Sequence, residues 1–406
     1  MVSLRPAALA LGLLAIAAGC GSGGGGEPTH APLPQILDLG GPLVSSPVVV
    51  PMLYQGDGDA SAIARFTKAL AGSAYWSGAV GPYGVGALTA SVPPSPLPAP
   101  ATTVTDDDFR QVLRTMYAQA PSSVNWSQTI FAFFPPAAAS VSAPLGANGV
   151  SITLCQADAG YHSFVPLDAA HNAIYAVVAR CPSFLGLSGL DVATGAASHE
   201  LAEAATDPLG VDIATQSMTT ARPAYGLPDD LAWSLLGGGE VGDLCANIPG
   251  AFYKDTGVAA VVQRLWSNAA AAQGHDPCGV AGPYFNAAPA LSSTFELDGY
   301  GHKFTTPVVN IAVGSKVTVD VDLFADADVA GSWILDVFDM AQVLGQAPNL
   351  QLLLDRTTGK SGDVAHLAIT VQSRGQLGGV DGLAGAVIVS KTTVKADYWP
   401  LLVKSN

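Results

Sequence analysis

The stretch Ser198-His199-Glu200-Leu201-Ala202-Glu203-Ala204-Ala205-Thr206-Asp207-Pro208 decides how this chain is read. Leu190, Ala197, Leu201 and Ala204 recur at helical spacing and form an apolar stripe expected to face a core. His199 and Glu203, four residues apart, lie together on the other face, because residues one turn apart stack along a helix. Pro208 cannot continue the hydrogen-bond ladder, so the helix ends there with Asp207 on its final turn.

Two ligands one turn apart can grip one metal ion. The pattern is that of a zinc-hydrolase helix, His-Glu-x-x-His, with Glu203 in place of the second histidine. Glu200 then sits beside the ion, where it can hold a water and take its proton as general base. A carboxylate is an acceptable zinc ligand, and it lowers the net charge of the site. A third ligand is expected from Gly239-Glu240-Val241-Gly242-Asp243-Leu244-Cys245, as Glu240 or Asp243, with Asp207 the local alternative. His162, in Gly160-Tyr161-His162, is a candidate ligand or a donor to a ligand. Carboxylates also suit hard cations, so calcium stands beside zinc as the alternative ion.

The bland reading of the same residues is a solvated polar helix face. Glutamate usage argues against it. Of 32 acidic residues only five are Glu: Glu27, Glu200, Glu203, Glu240 and Glu296. Three of the five fall between 200 and 240, in a chain that elsewhere uses Asp, Ser and Thr. A requirement for the longer carboxylate explains the clustering.

The totals exclude several classes. The 406 residues carry 17 Lys+Arg against 32 Asp+Glu, a net charge of −15, with no run of basic residues. That is not the footprint of a nucleic-acid binder. At 49% hydrophobic the chain can bury enough surface to offset chain entropy. Past residue 20 no apolar run reaches the roughly 18–20 residues of a membrane span. The length suits two or three domains.

The N-terminus reads as an address. Met1 to Arg5 is short and basic, and Ala7 to Ala18 is an apolar run ending in small residues. Cys20 follows Ile16-Ala17-Ala18-Gly19, which resembles the bacterial lipobox. Residues 1–19 are therefore expected to be a signal peptide and 20–42 a lipidated flexible tether, with Gly-Ser-Gly-Gly-Gly-Gly-Glu-Pro over 21–28. More than one acyl chain would hold the protein stably on a membrane of the bacterial cell envelope. Gly21 after the cysteine suits the outer membrane in a Gram-negative cell. An ordinary secreted protein with a cysteine near its cleavage site is the plainer alternative.

Setting Cys20 aside leaves Cys155, Cys181, Cys245 and Cys278, an even number that reads as two disulfides in an exported chain. Three pairings are possible, and proximity favours Cys155–Cys181 with Cys245–Cys278. A four-cysteine zinc site lacks the usual closely spaced pair.

Ser46 to Tyr54, Thr129 to Phe134, Val150 to Cys155 and Ala173 to Cys181 read as strands. Ser61 to Leu70 has helical spacing, and Ser73 to Trp76 reads as a break. Thr105 with Asp108 forms a capping-box variant opening a helix to about Gln119. Strands interleaved with helices predict an α/β (α+β) domain over 43–282. Over 283–406 the pattern is short alternating strands and turns, which predicts an all-β sandwich. Gly359-Lys360-Ser361 lacks the leading glycine of a phosphate loop and reads as a turn. Gly186-Leu187-Ser188-Gly189 closes one place early for a nucleophile elbow.

In order along the chain come Gly40-Gly41-Pro42, Val49 to Tyr54, Ser73-Ala74-Tyr75-Trp76, Cys155 with Tyr161-His162, Cys181, Ser198 to Pro208, Glu240 to Cys245, Gln263-Arg264-Leu265-Trp266-Ser267-Asn268 and Cys278. This ordered set resembles the EXORDIUM-like (phosphate-induced protein) family of secreted proteins over roughly residues 38–280. The resemblance implies a cell-surface protein and carries no settled activity. Its His-Glu-Leu-x-Glu helix looks like a divergent zincin. Plant members often have Asn where this chain has Asp207, which disfavours that residue as third ligand. The expectation is an exported surface lipoprotein with a zincin-like domain, a metal-dependent hydrolase acting on peptides. The competing expectation is a non-catalytic cell-surface protein, with a structural calcium ion and a sandwich that binds polysaccharide or a partner.

Overall fold

The computed structural model describes residues 30–405 apart from 92–94, 120, 121, 123, 147–149, 157, 210, 213–216 and 219–221. The expected signal peptide and Cys20 lie outside the described residues. The molecule is mixed α/β, with many strands and few helices. No described helix is long and apolar enough to cross a membrane.

The second half of the expected tether belongs to the fold, which corrects the boundary at 42. Leu33, Ile36 and Leu39 are buried, and Ile36–Leu37 pairs antiparallel with Leu227–Pro228. Asn268 clamps the segment, accepting from the Ile36 N–H at 2.9 Å and donating to the Ile36 carbonyl at 2.8 Å. Spaced apolar side chains gain more from burial than a free tether keeps in entropy.

A five-stranded sheet organises the N-terminal region. Its strands are β1 (Val48–Met52), β2 (Thr89–Ala90), β3 (Thr129–Phe133), β4 (Gly160–Pro166) and β5 (Asn172–Val178). The order across the sheet is β2-β1-β3-β5-β4, parallel throughout except that the edge strand β4 runs antiparallel to β5. β3 is buried at every position, as a parallel strand covered on both faces must be. Helices Ala60–Leu70 and Asp106–Gln119 cover the sheet, and the second opens as expected. There Asp108 Oδ2 accepts from both the Thr105 N–H (2.8 Å) and the Thr105 hydroxyl (2.7 Å). The expected break at Ser73 is instead a helix start. Ser73 Oγ accepts the Trp76 N–H at 3.1 Å and caps Ala74–Val80, so the serine punctuates without ending the helical run.

The motif helix, α1, spans Leu190–Thr206 and packs under the β4/β5 side of the sheet. Its alanines, with Gly195, let neighbours approach closely, so nearly the whole helix is buried rather than one stripe. It ends at Asp207, whose N–H bonds the Glu203 carbonyl at 2.6 Å. Both expected disulfides form, Cys155–Cys181 and Cys245–Cys278.

Residues beyond 283 form two facing sheets. Phe285–Pro289, Lys316–Ala325, Val364–Val371 and Leu350–Leu354 make four antiparallel strands. The other sheet has six strands, with its second and third, His302–Ile311 and Ala396–Ser405, paired in parallel. Trp333, Leu367 and Ile388 lie in the core between them. This region is not a detached appendage. Trp399 and Tyr284 share a core with Trp233, Val241, Leu244 and Trp266, and the Tyr398 hydroxyl donates to the Leu244 carbonyl at 2.8 Å.

Candidate metal centre

The helix α1 presents His199, Glu200 and Glu203 to one end of the sheet. His199 Nε2 stands 2.9 Å from Glu203 Oε2 across one turn. The other imidazole nitrogen, Nδ1, faces Gln263 Oε1 at 2.9 Å, so the ring is oriented from both sides. Gln263 ends β7 (Ala260–Gln263), which pairs with β6 (Phe252–Asp255). It is fixed in turn: its N–H donates to Ser198 Oγ at 2.8 Å and its amide to the Gly242 carbonyl at 2.7 Å.

The edge strand β4 adds the second histidine. Gly160 and His162 alternate onto the same face of the strand, toward the helix. A Cβ on Gly160 would stand 3.0 Å from Glu200 Cγ, so glycine is what lets strand and helix close up there. His162 Nδ1 lies 3.5 Å from Glu200 Oε2 and 3.7 Å from Glu203 Oε2, while its Nε2 faces Glu240 Oε1 at 3.5 Å and the Asp207 carbonyl at 3.3 Å.

The 239–245 loop closes the third side. It leads into the short helix α2 (Asp243–Ala246), where Asp243 Oδ1 stands 3.7 Å from His199 Nε2. The N–H groups of Gly242 and Asp243 donate to Glu203 Oε1 at 2.9 and 3.1 Å. A Cβ on Gly242 would fall 2.5 Å from His199 Nδ1 and 2.8 Å from Glu203 Oε1. Of the two expected third ligands, then, Asp243 reaches the His199–Glu203 pair, and Glu240 meets His162. Asp207 joins neither through its carboxylate. Its Oδ1 accepts the Ala224 N–H at 2.9 Å, which ties down the loop after the helix.

Two sets of three donors result: His199, Glu203 and Asp243, and His162, Glu200 and Glu203, each mutually within 4.8 Å. A tetrahedral zinc ion with bonds of about 2.0–2.1 Å sets its ligand atoms about 3.4 Å apart. The 2.9 and 3.7 Å separations around His199 bracket that value. The spacing is compatible with a divalent ion, which His199, Glu203 and Asp243 would hold.

Electrostatics points the same way. Burial pushes the Glu240 carboxyl well above the usual range, and Glu203, Asp207 and Asp243 push it further. Burial and Glu203 raise Asp243 to about 7. Burial alone would lower His199, but Glu203 and Glu200 outweigh it and hold the imidazole well above its ordinary pKa. Burial likewise opposes charge on Glu203, and His199 and His162 overcome it and lower its pKa. The site has more carboxylates than its two imidazoles can balance, a surplus that raised carboxyl pKa values meet with protons and that a divalent cation would also offset.

A cleft of about 240 Å³ opens onto His199, Glu200 and Asp243. Asp158 and Gln263 also line it, and neither was singled out from sequence as a site residue. For Gln263 the only signal was its place in one of the ordered motifs, since it lies 64 residues from His199.

No family model and no curated protein matches the chain. Among solved structures it is similar to surface layer protein SbsC, domains 4-9, at 14% identity and a TM-score of 0.18, covering 29% of this chain and 14% of that one. A second SbsC structure, of domains 4 and 5, gives 15% identity, TM-score 0.18, and coverage of 31% and 79%. The titin M3 domain gives 10% identity, TM-score 0.16, and coverage of 24% and 88%.

Proposed function

We propose that this is an exported surface lipoprotein of the EXORDIUM-like kind, whose zincin-like domain is a metal-dependent hydrolase acting on peptides. The observation that carries the reading is the convergence of His199 and Glu203 from one helix and Asp243 from the start of α2, 40 residues beyond Glu203, with donor spacings compatible with zinc. A zinc ion held there would polarise a carbonyl and acidify water. Glu200 lines the cleft next to His199 and is the general base that takes a proton from the attacking water. His162, 3.5 Å away, orients the Glu200 carboxylate, and Gln263 keeps His199 in one ring orientation. The test is metal content and turnover of purified protein on a broad peptide panel, beside a Glu200→Gln variant. Activity that the variant loses while keeping its metal supports the reading, and full metal occupancy with no turnover removes the enzyme while leaving the site.

A second reading has one observation in its favour, the surplus of carboxylates. In it the protein is a non-catalytic cell-surface binder of polysaccharide or a partner, and calcium sits among Glu200, Glu203, Glu240 and Asp243. Calcium alone restoring the melting temperature after chelation would favour it.

A further inference from the structure

Away from the carboxylates the cleft changes character. Part of its wall is a hairpin, Ser183–Phe184 paired with Leu187–Ser188, together with Phe252 of β6. Phe252 seats its ring against α1 at Gly195, where an added Cβ would stand 2.9 Å from Cδ1. At the hairpin tip Leu185 is 50% exposed and holds a φ of +46, a left-handed backbone that leucine seldom adopts. A second depression of about 320 Å³ adjoins the cleft and shares Leu185, Leu187 and Phe252 with it, so one apolar wall borders both parts of the groove. Neither depression is lined by a Lys or Arg among the described residues, whereas Asp158, Glu200 and Asp243 all face the first.

We propose that this groove selects the substrate: a neutral or cationic peptide with a bulky apolar side chain beside the bond presented to Glu200. The inference rests on the hydrolase reading and narrows it. The charge on the polar wall repels acidic substrates, uronic-acid polysaccharides and phosphate esters among them. The apolar wall, open to water as it stands, gains from being covered, and burying one leucine-sized side chain there strengthens binding by about ten-fold or more. Leu185 lines both depressions, half exposed and in a backbone conformation that leucine seldom adopts, which suits contact with a ligand better than packing in a core.

The experiment titrates zinc-loaded protein by calorimetry with three chelating probes: acetohydroxamate, N-acetyl-leucine hydroxamate and N-acetyl-aspartate hydroxamate. The expected result is the leucine probe about ten-fold tighter than acetohydroxamate and the aspartate probe weaker than both. Leu185→Asp, at an exposed position, and Phe252→Ala should each abolish the leucine advantage and leave zinc stoichiometry intact. Equal affinities for the three probes in zinc-loaded protein overturn the groove alone. Failure of the protein to bind zinc or any hydroxamate overturns the metal reading and the groove with it.

Discussion

His199 and Glu203 stand one helical turn apart with Nε2 2.9 Å from Oε2, and each is held from behind by a different part of the chain. Gln263 fixes the far side of the imidazole, and the backbone of Gly242 and Asp243 fixes the far oxygen of the carboxylate. A surface pair would be free to swing. This one is positioned to one geometry by two segments distant in sequence, as a site meant to hold an ion would require.

Gln263 gives the most selective test of that positioning. Its side chain bonds His199 Nδ1 and the Gly242 carbonyl, and neither bond involves the Glu203 carboxylate. Replacing it with Ala should weaken zinc binding by about 10–100-fold, the usual effect of removing the partner that orients a ligating histidine. Calorimetric titration of the folded variant checks this.

Gly242→Ala should cost both stability and metal affinity, since its Cβ would overlap His199 and Glu203 at 2.5 and 2.8 Å. Gly78→Ala is the control. Gly78 lies in the Ala74–Val80 helix with nothing within 4 Å of an added Cβ, so alanine there should stabilise by about 0.5–1 kcal/mol. Denaturant midpoints of the two variants should move in opposite directions, and zinc titrations should weaken for Gly242→Ala and stay unchanged for Gly78→Ala.

Much of this architecture was legible in the sequence, and what escaped did so for physical reasons. Helical spacing, the Thr105–Asp108 cap and the two disulfides are local or nearly local signals, and all three appear in the structure. The face of the motif helix carrying His199 and Glu203 was expected to differ from its buried stripe. Burial on all sides follows from neighbours the helix sequence does not contain. Which of Glu240 and Asp243 meets His199 depends on the turn at Gly242, and periodicity says nothing about a turn's direction. Residues 30–42 looked like tether because Gly and Pro flank them, while their partners, Leu227–Pro228 and Asn268, lie about 190 or more residues away.

Removing the two cysteines of Cys245–Cys278 should have a wider effect than removing Cys155–Cys181. Both close loops of similar length, 33 and 26 residues apart, so each should contribute about 3–4 kcal/mol. Cys245, however, lies in the short helix that begins with Asp243. The double Cys→Ala variant at 245 and 278 should therefore lose zinc affinity as well as stability. Comparing zinc titrations of the two double variants checks the difference.

The contact between the two regions carries its own pH dependence. Asp397 is buried beside Lys395, whose amine is 3.8 Å from Asp397 Oδ2 and 2.6 Å from Asp276. Burial raises the Asp397 carboxyl from 3.8 to about 7, against the pull of Lys395. The folded state thus holds a proton that the unfolded state releases, and stability falls as pH rises from about 4 to about 7. Below that window the contribution is flat, and above it the full cost of a buried carboxylate remains. Asp397→Asn should raise the melting temperature above pH 7 and reduce its fall across the window, as thermal melts over that range would show.

The most direct test of the central claim is a zinc titration of chelator-stripped protein alongside a His199→Ala/Glu203→Ala double variant, read by calorimetry and melting temperature together. The account predicts stoichiometric binding to the wild type, with a rise in melting temperature worth about 2.7 kcal/mol at a hundredfold excess over the dissociation constant. It predicts that the double variant loses both. Binding of equal strength in the two proteins, or none in the wild type, would contradict it.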